Sequence, residues 1–412
     1  MHVSGRMKRR NDIRSLVASL VVALPACGQE TTGPRPVNFT LEQRRVATAS
    51  NAFGIALLGR IPPDAGSPNV LVSPLSVSLA LGMTMNGARG ATFDAMRNAL
   101  AFDEIGQQAV NEAYRGLLDG LRARDPRVEF TIANSVWYEQ TFDVHAPFLD
   151  VVRASFDAHV QPLDFRDPAA PAAINDWVSD RTGGRIEDLI QSIDPLDVMF
   201  LVNAMYFRAP WTTPFEPART HDGPFTRLDG STVTARMMTN DATFPAVLDD
   251  EVQIVELPYG DSTYGMVLAA PAHGTDFDEF LAGVTPAKWN AWTSALVPGR
   301  VLLTMPRFRF AWGDLLNDAL ASLGMGIAFR PFEADFTRIA DRDDLYISRV
   351  IHKTFIAVDE EGTEAAAATA VGMSVTSLPP EVRFDRPFIF AIRERSTGVI
   401  LFLGAIADPS SP

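Results

Sequence analysis

Apolar residues recur at helical spacing in the first part of the chain. They follow a helical period over Leu41–Leu58, and Pro62-Pro63 would end that helix. Ser73 before Pro74 is typical of a helix cap with proline in the first turn. The residues over Val77–Met85 are apolar on almost every side, which predicts a buried helix.

Further helices and strands follow along the chain. Helices are predicted over residues 104–125 and Leu315–Leu323, and within Ile174–Ile186, where glycine ends the helix. Strands, rich in β-branched and aromatic residues, are predicted over Phe130–Tyr138, Met199–Arg208, Val255–Tyr259 and Leu345–Ser348. No polar linker or change in composition divides residues 39–408. We therefore expect these residues to form a single domain.

The stretch Asp359–Phe390 has a different pattern. An acidic lead-in ends at Gly362, fourteen mostly small residues follow over Thr363–Thr376, and Pro379-Pro380 stops any regular element. Glu364 and four consecutive alanines favour a helix, yet no large apolar residue recurs to give that helix a buried face. With a period of two, one face is uncharged and consists of Thr363, Ala365, Ala367, Thr369, Val371, Met373 and Val375. The segment is therefore compatible with an exposed loop and with a strand inside a sheet.

Two motifs in this stretch resemble a known family. Glu360–Thr369 is similar to the hinge of inhibitory serpins, and Phe384–Phe390 is similar to the family's C-terminal signature. The resemblance implies an exposed reactive-centre loop whose scissile bond joins Thr376 and Ser377, with cleavage after Met373 or Val375 as the alternative. It also implies a hinge made of Glu360, Gly362, Thr363, Glu364, Ala365, Ala366, Ala367, Ala368 and Thr369.

Other stretches resemble the same family in the same order, among them Ser73–Ala80 and Gly87–Thr92. The resemblance implies a serpin fold of mixed α+β class with three β-sheets, eight or nine helices and a large central sheet A. It assigns a buried polar cluster, the shutter, to Ser73, Ser76, Asn203 and His352. It assigns Trp211 to the breach of that sheet. A catalytic Ser–His pair is the competing interpretation of His352.

The implied function is irreversible inhibition of serine proteases, in which the cleaved loop inserts into sheet A and traps the acyl-enzyme. Because Val375-Thr376 is small and β-branched, the expected target is an elastase-like or subtilisin-like enzyme and not a trypsin-like one. The alternative is a non-inhibitory serpin that acts as a chaperone or a ligand-binding protein. A hydrolase would need a catalytic motif, and the chain has no Gly-x-Ser-x-Gly, His-Glu-x-x-His or phosphate loop. We expect no cofactor and, from the spacing of the six histidines, no metal site.

The N-terminus has the layout of an export signal. A basic stretch precedes the apolar run Leu16–Leu24, so residues 1–26 are interpreted as a signal peptide. Leu24-Pro25-Ala26-Cys27 resembles a bacterial lipoprotein box, which implies lipidation of Cys27, a membrane-anchored tether over residues 27–38 and an outer-membrane location. A simple secretory peptide with an incidental cysteine is the alternative, and the protein would then be secreted.

The acidic balance limits the partners. The formal net charge is −14, which makes nucleic acid a poor partner. We expect the protein to be a monomer.

Overall fold

The computed structural model describes residues 1–2, 37–64, 66–102, 105–122, 124–194, 196–363 and 379–411. The chain divides into two compact units, and the second, residues 34–412, carries the fold described below. Cys27 and most of the expected signal peptide and tether lie outside the described residues, and so do Glu364–Thr369 and the Thr376–Ser377 bond.

The described residues contain nine α-helices, in line with the eight or nine expected. They are α1 (Leu41–Leu58), α2 (Pro74–Met85), α3 (Gly90–Ala99), α4 (Gln107–Arg122), α5 (Ala146–Phe156), α6 (Ala170–Arg181), α7 (Phe277–Ala282), α8 (Pro286–Ala295) and α9 (Asn317–Leu320). Local caps explain where the first two begin. The Thr40 side chain accepts a hydrogen bond from the Gln43 amide, and the Thr40 amide donates one to Oε1 of Gln43. The Ser73 side chain caps α2, whose first residue is Pro74. None of the described helices is long and apolar enough to cross a membrane.

The strands lie between and after these helices. They are β1 (Asn69–Val72), β2 (Glu129–Glu139), β3 (Ala158–Leu163), β4 (Met199–Pro210), β5 (His221–Thr226), β6 (Thr232–Leu248), β7 (Val252–Tyr259), β8 (Tyr264–Pro271), β9 (Val297–Pro306), β10 (Phe308–Leu315), β11 (Ile351–Val358), β12 (Gly362–Thr363), β13 (Glu381–Arg383), β14 (Phe388–Glu394) and β15 (Ile400–Ile406).

The strands pair into a six-stranded sheet and a nine-stranded set. The six-stranded sheet has the order β10-β11-β12-β4-β2-β3, and we refer to it as the central sheet. The nine-stranded set has the order β1-β15-β14-β8-β7-β6-β9-β13, with β5 beside β6. The long strand β6 pairs with β5 and β9 over most of its length and with β7 only at its last residues, Ala246–Leu248. It therefore joins two smaller sheets, which with the central sheet make the three sheets expected of the mixed α+β fold.

Side chains of β4 alternate between two apolar cores. Met205 and Phe207 belong to the larger core, which also holds most of α2. Phe200 and Val202 point to the other face and pack in a smaller cluster with Ile174 of α6. The central sheet is therefore covered on both faces, as a mixed sheet with hydrophobic side chains on both sides requires.

One predicted strand is wrong and several boundaries shift. Residues Leu345–Ser348 are not in a strand, because β10 ends at Leu315 opposite Ile351 and leaves the preceding residues without a neighbouring strand. The helix expected over 104–125 is α4, which is shorter. The helix expected within Ile174–Ile186 is α6, which ends at Arg181 just before the left-handed Gly183, so the expected end at glycine is confirmed.

Candidate functional site

The first two residues after the acidic lead-in already lie inside the central sheet. Gly362 and Thr363 pair with Pro210 and Ala209 of β4, and Thr363 also pairs with Val358 of β11. Both pairings are antiparallel. We expected this segment to enter the sheet only after cleavage of the loop. In the intact chain its first residue, Thr363, is already paired inside the sheet together with the preceding Gly362.

Below Thr363 the central sheet is open. Among the described strands, no ladder joins β4 directly to β11, and β12 is the only strand paired with both. A cavity of about 10 Å³ lies directly under Thr363, between Phe207 of β4 and Ile356 of β11. Further down, a cleft of about 640 Å³ separates Met199–Asn203 from Val350–His352. Two strand edges thus face each other with space between them.

The side chain of Thr363 is held by a tyrosine of another sheet, which the sequence patterns did not identify as part of the site. The hydroxyl of Tyr259 in β7 lies 2.6 Å from Oγ1 of Thr363. Both residues are buried. Burial is the main cause that raises the pKa of Tyr259 well above its ordinary value, so its hydroxyl is protonated and able to donate. The uncharged face of the loop segment therefore points into the larger core at this position.

Trp211, assigned to the breach, fastens the start of the same segment. Its ring stacks on Tyr259 with 4.3 Å between centroids and 14° between planes. Its indole Nε1–H donates to the Asp359 carbonyl at 2.9 Å, and its amide donates to the Glu361 carbonyl at 2.8 Å. The indole thus connects β4, β7 and the acidic lead-in at the upper end of the opening.

Glu360 is an internal carboxylate and not part of an exposed loop. It is 2% exposed, forms an ion pair with Arg307 and accepts a hydrogen bond from the Thr220 hydroxyl. Burial by itself raises the pKa of Glu360, but the hydrogen bonds from Thr220 and Arg307 outweigh it and leave the pKa lowered. Its carbonyl accepts from the Phe215 amide at 2.8 Å. Arg307 and Thr220 carried no local sequence signal, because both are distant along the chain.

The turn before Thr363 depends on Asp359 and Gly362. Oδ1 of Asp359 accepts hydrogen bonds from the Glu361 amide at 2.9 Å and from the Gly362 amide at 3.2 Å. Gly362 has φ +156°, and a Cβ there would lie 2.1 Å from the Ala209 carbonyl oxygen. A side chain at this position would therefore collide with the backbone of β4, which explains the glycine.

The four residues assigned to the shutter meet beneath the opening. The amide of Ser73 donates to Nε2 of His352 at 3.0 Å, and Oγ of Ser73 accepts from the Ser76 amide. The Ser76 hydroxyl donates to Oδ1 of Asn203. The start of α2 thus touches β11 through His352 and β4 through Asn203, so it connects the two strands that border the cleft.

Asn134 extends this cluster, and the sequence analysis did not single it out. Nδ2 of Asn203 donates to Oδ1 of Asn134 at 2.5 Å, and Nδ2 of Asn134 donates to the Phe156 carbonyl at 2.5 Å. Asn134 lies directly opposite Asn203 in the β2–β4 ladder. An amide side chain in the middle of the predicted strand Phe130–Tyr138, whose other residues are apolar or carry a hydroxyl, was the available signal.

The geometry at His352 argues against a catalytic Ser–His pair. Nε2 accepts a backbone amide hydrogen, so this nitrogen does not receive a serine hydroxyl proton. Burial lowers the pKa of His352 from 6.5 to about 4, which keeps the imidazole neutral at pH 7. In the part of the chain that the structure describes, no group of three His, Cys, Asp or Glu side chains could hold a metal ion.

The structure thus brings together the shutter residues in one cluster and Glu360, Gly362, Thr363 and Trp211 in another, at the two levels of one opening. Comparisons with known proteins agree with this architecture. The family model described as "Serpin (serine protease inhibitor)" matches residues 48–409. The bovine protein Serpin A3-3 (Bos taurus) is 32% identical over 404 residues, which cover 95% of this chain and 97% of that protein.

Two solved structures are similar over nearly the whole fold. The thermophilic serpin tengpin in its native state has a TM-score of 0.82 and 32% identity, covering 91% of this chain and 96% of that chain. Human thyroxine-binding globulin in complex with its hormone has a TM-score of 0.81 and 28% identity, covering 90% of this chain and 100% of that chain. The chain therefore belongs to the serpin family, whose members are in general inhibitors of serine proteases and not enzymes.

Proposed function

We propose that this protein is an irreversible suicide-substrate inhibitor of serine proteases that inserts its cleaved reactive-centre loop into the central sheet. The observation that carries the proposal is the position of Gly362–Thr363, paired with both β4 and β11 above an open cleft. A protease that attacks the Thr376 carbonyl would form an acyl-enzyme, and the freed loop would then extend the strand that Thr363 begins.

The existing register supports insertion by this route. Because both pairings are antiparallel, each further loop residue after Thr363 would pair with the preceding residue of β4 and of β11. Thr369 would then lie opposite Asn203 and opposite His352, and Met373 would lie opposite Met199. The uncharged face would follow Thr363 toward the larger core. Glu364 would point to the other face, where the described neighbour on β4 is the exposed Arg208.

The expected free energy is sufficient for trapping. From Ala209 to Met199 the strand would advance about 33 Å at roughly 3.3 Å per residue. A dozen ladder hydrogen bonds at ~0.5–1.5 kcal/mol each give on the order of 10 kcal/mol, comparable to the stability of a whole domain. This is large enough to distort an attached protease and stall hydrolysis of its ester.

The test is incubation with a panel of serine proteases. We expect a denaturant-resistant complex with elastase-like or subtilisin-like enzymes, and a released C-terminal peptide that begins at Ser377. Val375-Thr376 offers no cation for a trypsin-like specificity pocket, so rapid inhibition of trypsin would contradict the proposed specificity. Cleavage by every enzyme of the panel without any trapped complex would contradict the inhibitory function itself.

A non-inhibitory role in ligand binding or as a chaperone is the second candidate. Thyroxine-binding globulin, a hormone-binding protein by its name, shares the fold at 28% identity. The small residues that follow Thr363 favour insertion over this alternative, because bulky or charged side chains would resist entry into a sheet. The protease panel separates the two functions, since a ligand-binding protein would be cleaved without trapping its protease.

We also propose that residues 1–26 direct export and that Cys27 anchors the mature protein to a membrane. A lipoprotein cysteine carries more than one acyl chain, which stable attachment requires. Gly28 is not the aspartate that commonly retains such proteins at the inner membrane, so the outer membrane is the proposed location. Expression of the wild type and of Cys27→Ser in a bacterial host tests this. Equal partition of both into the aqueous phase would exclude the anchor.

A further inference from the structure

An ion pair closes the lower end of the opening in the central sheet. Arg349 lies two residues before β11, and Asp197 lies two residues before β4. Nη2 of Arg349 is 2.5 Å from Oδ2 of Asp197, and the Asp197 side chain is only 6% exposed. Both residues line the 640 Å³ cleft. The pair therefore connects the two chain segments that border the cleft, at the end opposite to Thr363.

Several additional contacts strengthen this connection. The other carboxylate oxygen of Asp197 accepts from the Ser348 hydroxyl at 3.0 Å, and Nη2 of Arg349 also donates to the Ser192 carbonyl at 2.9 Å. The guanidinium lies 5.3 Å from the centroid of the Phe200 ring. Charge-assisted hydrogen bonds of a nearly buried carboxylate are among the stronger polar contacts in proteins.

We propose that the Arg349–Asp197 pair is a latch that must open before loop insertion is complete, and that it sets the rate of the last step. The inference rests on the proposed function. In the register that Thr363 defines, residue 372 would reach the level of Arg349 and residue 375 the level of Asp197. The last residues before the proposed bond would therefore have to separate the two segments that the latch holds together.

Two features of Arg349 allow the ion pair to separate. Nε of Arg349 is buried and has no hydrogen-bond partner among the described residues, so part of the cost of burying the guanidinium is not recovered. The Arg349 side chain is still 25% exposed, so water can solvate it when the pair separates. Arg349 and Asp197 are thus positioning residues that hold the strand ends, and neither needs to contact the protease before insertion.

The test compares Arg349→Met with Arg349→Lys and a matched control. Arg227→Met removes a similar pair, Arg227–Asp408 at 2.7 Å with an 11% exposed carboxylate, that does not cross the opening. Each protein is cut in the loop by a thermolysin-type metalloprotease, which forms no acyl-enzyme. The rate at which the cut protein gains heat resistance then reports insertion.

We expect Arg349→Met to insert roughly tenfold faster than the wild type, a change equal to about 1.4 kcal/mol of barrier. Arg349→Lys should fall between the two, and Arg227→Met should lower the unfolding midpoint without changing the insertion rate. Equal rates for Arg349→Met and the wild type, or equal acceleration by Arg227→Met, would overturn the latch.

The readout separates this proposal from the proposed function. If the wild type traps no protease but its cut form gains heat resistance, inhibition fails while the insertion rate still tests the latch. If the cut wild type never gains heat resistance, no strand inserts and the latch is overturned as well.

Discussion

The hydroxyl groups of Tyr259 and Thr363 lie 2.6 Å apart in the protein interior. Tyr259 belongs to β7 of the nine-stranded set, and Thr363 belongs to the central sheet. The contact therefore ties the beginning of the proposed reactive-centre loop to a second sheet in the intact chain. A side chain at position 363 must be small, uncharged and able to remain beside this tyrosine.

If the protein is the inhibitor proposed above, Thr363→Arg should convert it into a substrate of its target protease. The position is 3% exposed, and an unpaired buried cation costs several kcal/mol, so the first two residues should leave the sheet. Inhibition is a race between insertion and hydrolysis of the acyl-enzyme, and slower insertion favours hydrolysis. The ratio of trapped complex to cleaved product on a denaturing gel measures the effect.

Thr363→Val is the matched control, since it keeps the shape and loses only the hydrogen bond to Tyr259. It should retain most of the trapping, and Glu364→Arg on the other face should also have a small effect. Equal trapping by Thr363→Arg and the wild type would mean that this loop does not work by insertion.

Arg307→Met should weaken the hinge by leaving the Glu360 carboxylate buried without its cation. We expect a loss of about 1–3 kcal/mol in the free energy of unfolding. Because the pKa of Glu360 is lowered in the folded protein, its contribution is present above its ordinary pKa of 4.5 and is lost as the pH falls below that value.

Denaturant unfolding of the wild type and of Arg307→Met at several pH values checks this prediction. The difference between their free energies of unfolding should shrink in acid. Arg219→Met serves as the control, because it breaks the exposed Arg219–Glu216 pair nearby and should cost little. A difference between Arg307→Met and the wild type that stays constant below pH 4.5 would exclude Glu360 as its source.

Acid should destabilise the protein through His352. The pKa of this imidazole is lowered from 6.5 to about 4 by burial, so the unfolded chain binds a proton that the folded protein does not. The contribution of His352 to the free energy of unfolding should be constant above pH 6.5. It should fall by on the order of 3 kcal/mol toward pH 4.

His352→Gln should remove this dependence on pH, whereas His221→Gln, at an exposed position, should keep it. The measurement is again denaturant unfolding between pH 4 and pH 8. The same slope in wild type and His352→Gln would assign the acid sensitivity to other groups.

Gly362→Ala should displace β12 from β4. The added Cβ would lie 2.1 Å from the Ala209 carbonyl oxygen, and we expect a cost of about 1–3 kcal/mol with a smaller trapped fraction. Gly299→Ala on β9 is the control, because a Cβ there has no atom within 4 Å. Similar losses of stability in the two variants would mean that the close approach to Ala209 is unimportant.

The sequence by itself determined where several helices and strands lie along the chain and which residues they contain. Helix periodicity and caps predicted α1 and α2, because these signals lie within a few residues of each other along the chain. The two-residue period after Gly362 also predicted which face of the segment is uncharged, and Thr363, the one residue of that face that the structure describes, is buried beside Tyr259. The resemblance named His352 and Asn203 as members of one buried cluster and Trp211 as a member of another site on the same sheet.

Only the tertiary structure decided how these residues meet. The pairing of Gly362–Thr363 with β4, the burial of Glu360 against Arg307 and the Arg349–Asp197 pair all join segments separated by fifty or more residues. No local pattern encodes such contacts, because they depend on which strands become neighbours and on the space left between them. That β4 and β11 stand apart below Thr363 is a property of the assembled sheet, and it is this opening that supports the proposed mechanism.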